Sequence, residues 1–353
     1  MQGAKGSNGG DQTAQSDVIT GTGGSGGEAE LQLTVGSDVQ TGALTLNAEA
    51  GNGGNGGSDT ADRAPTSEVT VGNGGAGGNA AAGIAITDGS LTATSISLTA
   101  KAGSAGYVGS VRKEGKDNHG GDGGTAGTAS IKGLVLSGQQ AAVEVANNIV
   151  ITGTGGKGGN GGSTYGEAGL AAVGGAAEAY GLVAAGNGTY AVQFADLTLQ
   201  ATGGNGGSGG NTSIFYNQTT NNSQGDPYMS TDGADGGNAV GKGLLVESGD
   251  VQLTADNITS TVAGGNGGGA GNNNRANRQD AAAKVANAGQ GGTASATGIA
   301  VTGGLADKLS IGAIKAAATG GTGGTGANGS YDNVNDGTDG CLLYTSDAAD
   351  DLI

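Results

Sequence analysis

Tryptophan is absent from this 353-residue chain, proline occurs twice, histidine and cysteine once each, and aromatic residues make up 3%. Each shortage removes a class of protein. Two prolines exclude a collagen triple helix, which needs abundant proline beside glycine at every third position. So few aromatics exclude a wide globular core, because large side chains are not there to fill one. A single histidine and a single cysteine exclude a transition-metal centre or a catalytic triad built from the usual parts. Only 14 Lys and Arg face 31 Asp and Glu, for a net charge of −17, and no basic stripe appears, so a nucleic-acid partner is excluded as well. No apolar run approaches the length of a membrane span, and no signal peptide is evident. The chain opens on Gln2-Gly3-Ala4-Lys5-Gly6, as if inside a repeat, so its natural start is expected upstream.

Glycine takes the vacated share, with 82 residues. Disorder is the competing reading for such a composition. It is disfavoured because only 13% of residues are charged and the apolar ones fall in short alternating runs. The chain also repeats itself. A motif of glycine and apolar residues opens successive copies at Gly83-Ile84-Ala85-Ile86, Gly133-Leu134-Val135-Leu136, Gly181-Leu182-Val183-Ala184, Gly243-Leu244-Leu245-Val246 and Gly298-Ile299-Ala300-Val301. These glycines are spaced 50, 48, 62 and 55 residues apart, and a divergent earlier copy starts near Leu31.

Two alternating runs follow each motif, such as Val143-Glu144-Val145 and Ile149-Val150-Ile151, separated by Ala146-Asn147-Asn148. The alternation predicts three short strands joined by tight corners, about twenty residues to a coil, with Asn and Asp of the second corner stacking into a polar ladder. A Gly-Gly-X tract comes next, as in Gly203-Gly204-Asn205-Gly206-Gly207-Ser208. After a variable excursion a second tract returns, as in Gly233-Ala234-Asp235-Gly236-Gly237. A left-handed threefold helix of the polyproline II type would place every X on one edge and leave two bare edges where backbones approach. The copy at Ala102-Gly103-Ser104-Ala105-Gly106 reads as a degenerate tract and a local irregularity.

The expected fold is therefore all-β: a repetitive β-solenoid of parallel β-helix-like coils with stacked polyglycine-II-type segments and loop excursions. Residues 1–28 would end a truncated repeat, and 29–340 would hold about six repeats of roughly 50–60 residues. Residues 341–353 stand apart. Cys341-Leu342-Leu343-Tyr344-Thr345-Ser346-Asp347-Ala348-Ala349-Asp350-Asp351 lacks glycine and resembles the in-frame translation of a sequencing-library adapter. That resemblance implies a non-native tail, and Cys341 then carries no disulfide, metal or nucleophile. In style, residues 16–340 resemble bacterial glycine-rich exoproteins and the autotransporter-passenger or filamentous-haemagglutinin-like adhesins. The Gly-Gly-X tracts are also similar to those of polyglycine-II phage tail-fibre adhesins and mycobacterial glycine-rich repeat domains, though both have less strand between tracts. The resemblance implies a secreted or outer-cell-surface protein.

Little chemistry can be assembled. His119 lies in a Lys116-Asp117-Asn118-His119-Gly120 loop and reads as a solvated side chain. Gly-x-Gly-x-x-Gly matches are guaranteed by composition, and none opens a helix after a strand. No cofactor is expected. Calcium has candidate ligands in Asp122, Asp235, Asp336 and Asp339, but no tandem nonapeptide pattern accompanies them. The remaining candidates for a binding site are loop aromatics: Tyr107, Tyr165, Phe215, Tyr216, Tyr228 and Tyr331. Aromatic side chains on variable loops of a rigid scaffold suit glycans or a receptor on a host or neighbouring cell, and capping of the tract ends is the alternative role. The expected function is a non-enzymatic structural or adhesive protein, with ice binding or phage receptor binding as alternatives. Thr92, Thr99, Thr254 and Thr259 support ice binding, but threonine positions are not regularly repeated from coil to coil, as a lattice match would demand. A polysaccharide-degrading β-helix would need acids clustered on one strand face, and here they are dispersed.

Overall fold

The computed structural model describes residues 1–12, 18–59, 68–111, 118–164, 167–215, 230–276, 286–303 and 305–327. Among them the protein is all-β, without a helix, and its named strands pair in parallel. One sheet has six strands: Ala29–Val35, Ala80–Ile86, Ala129–Leu136, Ala177–Ala184, Ala239–Val246 and Ala294–Val301. A second sheet of eight carries Val39–Gln40, Ala43–Glu49, Gly89–Ala93, Ser95–Lys101, Gln140–Thr154, Thr189–Thr202, Asp250–Ala263 and Leu305–Thr319. Within each sheet the strands pair with the corresponding segments of adjacent repeats.

Two features of the reading change. One rung of the stack consumes a whole repeat rather than about twenty residues, because every pairing joins positions one repeat apart. The two short runs after the corner are also a single strand in Gln140–Thr154, Thr189–Thr202 and Asp250–Ala263. The Asn-rich step between the runs is a register irregularity between Val145 and Asn148, which bends the strand without ending it. Its polar residues do align: Asn148, Asp196 and Asn257 are consecutive partners, and the Asn257 amide donates to Asp196 over 2.7 Å.

Registry explains the composition. Ala29, Ala80, Ala129, Ala177, Ala239 and Ala294 form one buried row down the first sheet. Ile84, Leu134, Leu182, Leu244 and Ile299 form another. Opposite them, Ile96, Ile149, Leu197 and Ile258 run down the second sheet. Each fully buried branched side chain of this kind stabilises by about 1.5–3 kcal/mol. The opening glycine of the repeat motif has a packing reason: a Cβ on Gly181 would stand 2.6 Å from a Leu197 methyl, and one on Gly243 2.6 Å from Ile258. A row of glycines on one sheet receives a row of Leu and Ile from the other, and the core can be thin. Corners between the sheets fall at Gly89 and Gly249, whose φ of 79° and 85° lies in the left-handed region.

The glycine tracts form a wall beside the sheets. Outgoing and returning tracts alternate along it, tied by a zigzag of backbone bonds. Gly321 donates to Gly292, Gly292 to Gly265, Gly265 to Gly237, Gly237 to Gly204, Gly204 to Gly175 and Gly175 to Gly156, at 2.7–2.9 Å. The series continues from Gly156 through Gly127, Gly103, Gly78, Gly51 and Gly27 to Ala4. The other glycine of each unit donates the opposite way, to the X carbonyl of the next repeat, as Gly53 does to Ser104 and Gly206 to Asn266. The tract at 102–110 is regular after all, since Gly103, Gly106 and Gly109 bond to Gly78, Gly75 and Gly72. One glycine in three suffices for those contacts, and alanine stands at 102 and 105.

Candidate functional site

Three surfaces of the stack could meet a ligand. The first is the outer edge of the glycine wall, where the X residues lie. Their N–H groups point away from the neighbouring tracts and would be left to water. At many of them, an Asn, Asp or Ser side chain of the preceding repeat accepts the N–H instead. Asn205 Oδ1 accepts from Asn266 N–H over 2.9 Å, and Asn266 Oδ1 in turn from Thr322 N–H over 2.9 Å. Asn160 serves Ser208 and Asn52 serves Ser104 in the same way. This ladder assigns Asp122 and Asp235, two of the calcium candidates: Asp122 Oδ1 accepts from Leu170 N–H and Asp235 Oδ1 from Gln290 N–H. Asp336, Asp339 and Cys341 lie outside the described residues. Among the described residues no group of three or more His, Cys, Asp and Glu is placed to hold a metal, and no helix is long and apolar enough to cross a membrane.

The second surface is the edge where outgoing tracts end and returning tracts begin. Every sequence excursion leaves from here. On the outgoing side, Gln12, Asp59 and Val111 are bridged in succession, as are Thr164 and Thr212. On the returning side Val18–Ile19 pairs with Val69–Thr70, and Thr70, His119 and Glu167 follow in register. Successive loop roots are thus stacked one rung apart. Thr20 and Thr231 brace them from inside. The Thr231 hydroxyl donates to the Gly169 carbonyl and accepts from Gly210 N–H, and Thr20 does the same between Gly57 and Gly72. His119 is no isolated loop residue. Its Nδ1 lies 3.0 Å from Glu167 and its Nε2 3.7 Å from Glu68, so one ring spans carboxylates of the repeats on either side.

The loop aromatics fare unevenly. Tyr107 is 62% exposed, but it occupies an X position of a tract, its carbonyl accepting from Gly56 and its N–H donating to Asn55. Phe215 ends the strand Thr212–Phe215, which pairs with Asn273–Ala276 beside the loop roots. Tyr165, Tyr216, Tyr228 and Tyr331 lie outside the described residues. Two further tyrosines belong to the sheets. Tyr190 is fully buried and its hydroxyl donates to the Gly138 carbonyl over 3.0 Å. The run Tyr190-Ala191-Val192-Gln193-Phe194 alternates strictly, and that signal marks Tyr190 and Phe194 as core. Tyr180 lies beneath the Lys242 ammonium, 5.6 Å from its ring centroid. Partial burial, with Glu178 and Glu247 nearby, raises its pKa above the ordinary tyrosine value.

The third surface is the outer face of the second sheet, and sequence reasoning missed its order. Past the bend, three outward rows run down the stack. Thr45, Ser97, Val150, Thr198, Thr259 and Lys315 are consecutive partners. So are Asn47, Thr99, Thr152, Gln200, Thr261 and Ala317. The third row is Glu49, Lys101, Thr154, Thr202, Ala263 and Thr319. Threonine holds half of these positions and every row is interrupted, so the threonines are not repeated regularly from rung to rung; they are densest on the rungs of Gln140–Thr154, Thr189–Thr202 and Asp250–Ala263. Charge enters the rows at Lys101, which pairs with Glu49 over 2.8 Å and stands beside Thr154, and at Lys315 beside Thr259. Before the bend the same sheet carries a shallow trough of about 600 Å³, floored by Ala142 and Ala191 and edged by Glu144, Gln193, Thr254 and Lys308.

No protein-family model, curated protein sequence or solved structure matches the chain.

Proposed function

We propose that this is a non-enzymatic structural and adhesive protein of the cell exterior, a rod that displays variable loops to a glycan or a receptor on another cell. In this reading the chain winds as a solenoid, one repeat to a turn, and its glycine wall is a bundle of polyglycine-II strands. One observation carries it: all the excursions of differing length leave from a single edge, and their roots are held in register by bridges and by Thr20 and Thr231. A scaffold that fixes loop roots while loop lengths vary is suited to recognition. The loop aromatics Tyr107, Tyr165, Phe215, Tyr216, Tyr228 and Tyr331 are the proposed contacts.

The test is a replacement of residues 216–229 by a short Gly-Ser linker, which spares the bonded Thr212 and Thr231. Circular dichroism and melting temperature should be retained while attachment to a glycan array and to whole cells falls at least tenfold. The Tyr216→Ala and Tyr228→Ala variants should reproduce part of that loss. Undiminished attachment after the replacement would sink the reading.

A further inference from the structure

We propose that the outer face of the second sheet binds ice, independently of the loops. The observation is the threonine grid. At its centre, three adjacent rungs and three outward rows give nine positions, of which Thr152, Thr154, Thr198, Thr202, Thr259 and Thr261 hold six and the uncharged Val150, Gln200 and Ala263 the other three. The block is uncharged and is bounded by Lys101 beside Thr154 and Lys315 beside Thr259. Rungs of a parallel sheet are about 4.7–4.9 Å apart, and alternate residues of a strand about 6.6 Å apart. The six hydroxyls therefore fall on points of one two-dimensional lattice, with one point in each row lacking threonine, and the rung spacing is close to that of alternate water oxygens in ice.

Three physical features favour a solid water lattice over a soluble ligand. Threonine is β-branched and stiff about its first side-chain torsion, so hydroxyl and methyl directions repeat from rung to rung. The methyls leave water between the rows few partners except other water and the hydroxyls, which favours ordered bridging water over bulk exchange. The backbone beneath is fixed twice, by the sheet pairing and by the glycine wall joined to the same repeats, which opposes the twist that would spoil planarity. A lone hydroxyl-bound water contributes little. Many held at lattice spacing engage a crystal face together, and release requires them all to part at once.

Purified full chain should inhibit ice recrystallisation and separate freezing from melting temperature at micromolar concentration. The triple variant Thr152→Lys, Thr198→Lys, Thr261→Lys places bulky charge across the grid and should lower that activity at least tenfold with an unchanged circular dichroism spectrum. Should it fold poorly, the pair Thr152→Ser and Thr261→Ser keeps the hydroxyls, removes the methyls and should lose activity several-fold. Replacement of residues 216–229 should leave ice activity intact, which separates this proposal from loop-mediated attachment. The proposal is overturned if wild-type chain neither shapes nor inhibits ice. It is equally overturned if the grid variants stay fully active, which would place the activity on the glycine wall, or if the face retains crystalline cellulose or chitin but not ice.

Discussion

Gly204 and Ser208 are four residues apart in one tract, yet they tolerate change very differently. A Cβ on Gly204 would fall on the Gly156 carbonyl oxygen, a backbone atom that cannot swing aside. Ser208 is exposed, with its side chain directed outward. Overpacking of this kind costs about 1–3 kcal/mol, and the backbone origin of the clash puts Gly204→Ala at the upper end. Ser208→Ala should stay within about 0.5 kcal/mol. Calorimetric melting of both variants beside wild type measures the difference, and equal stabilities would contradict the close approach of the tracts. Tyr180 provides a pH-dependent counterpart. Its pKa is raised in the folded chain, first by burial and then by Glu178 and Glu247. Above about pH 10 the unfolded chain has lost this proton while the folded chain keeps it, so stability falls as pH rises through that window. Denaturant midpoints taken from pH 9 upward should decline less steeply in Tyr180→Phe than in wild type.

At the scale of the element, the period-two runs and the threefold tracts were legible in the sequence because each follows from local geometry. The strand pair at each corner and the opening glycine could be found the same way. What was not legible was register. Thr154, Thr202 and Thr319 occupy one row of the third surface, but nothing in their spacing says so. Loops of unequal length between tracts change the numbering while the rungs stay aligned. The X residues were hidden for a different reason. An Asn in a glycine tract reads as filler until the N–H of the following repeat is seen to depend on it, as Asn266 depends on Asn205. Register also makes a prediction. Ala184 pairs with Leu136, so deleting residues 137–184 joins Leu136 to Ala185 at an equivalent position of the next rung. That protein should fold with the same circular dichroism shape and a modestly lower melting temperature, since repeat arrays are stabilised by nearest-neighbour interfaces. Deleting 137–160 instead breaks the registry and should abolish cooperative melting.

For the whole molecule, the direction of the backbone bonds matters more than their number. In both sheets hydrogen bonds run along the stack, each joining one repeat to a neighbour, and in the glycine wall bonds within a repeat, such as Gly78 to Gly51, alternate with bonds between repeats, such as Gly103 to Gly78. A force applied through the two ends of the stack therefore opens rungs in sequence, as a zip does, instead of shearing many bonds at once. Each opened rung frees a repeat of 48–62 residues, or roughly 160–220 Å of extended chain. Single-molecule pulling should give a sawtooth of low, nearly equal peaks at those intervals. A single high rupture would mean that the rungs do not part separately. Anchored between two surfaces, such a stack would lengthen step by step and dissipate work at each step, acting as a shock absorber for whatever it holds.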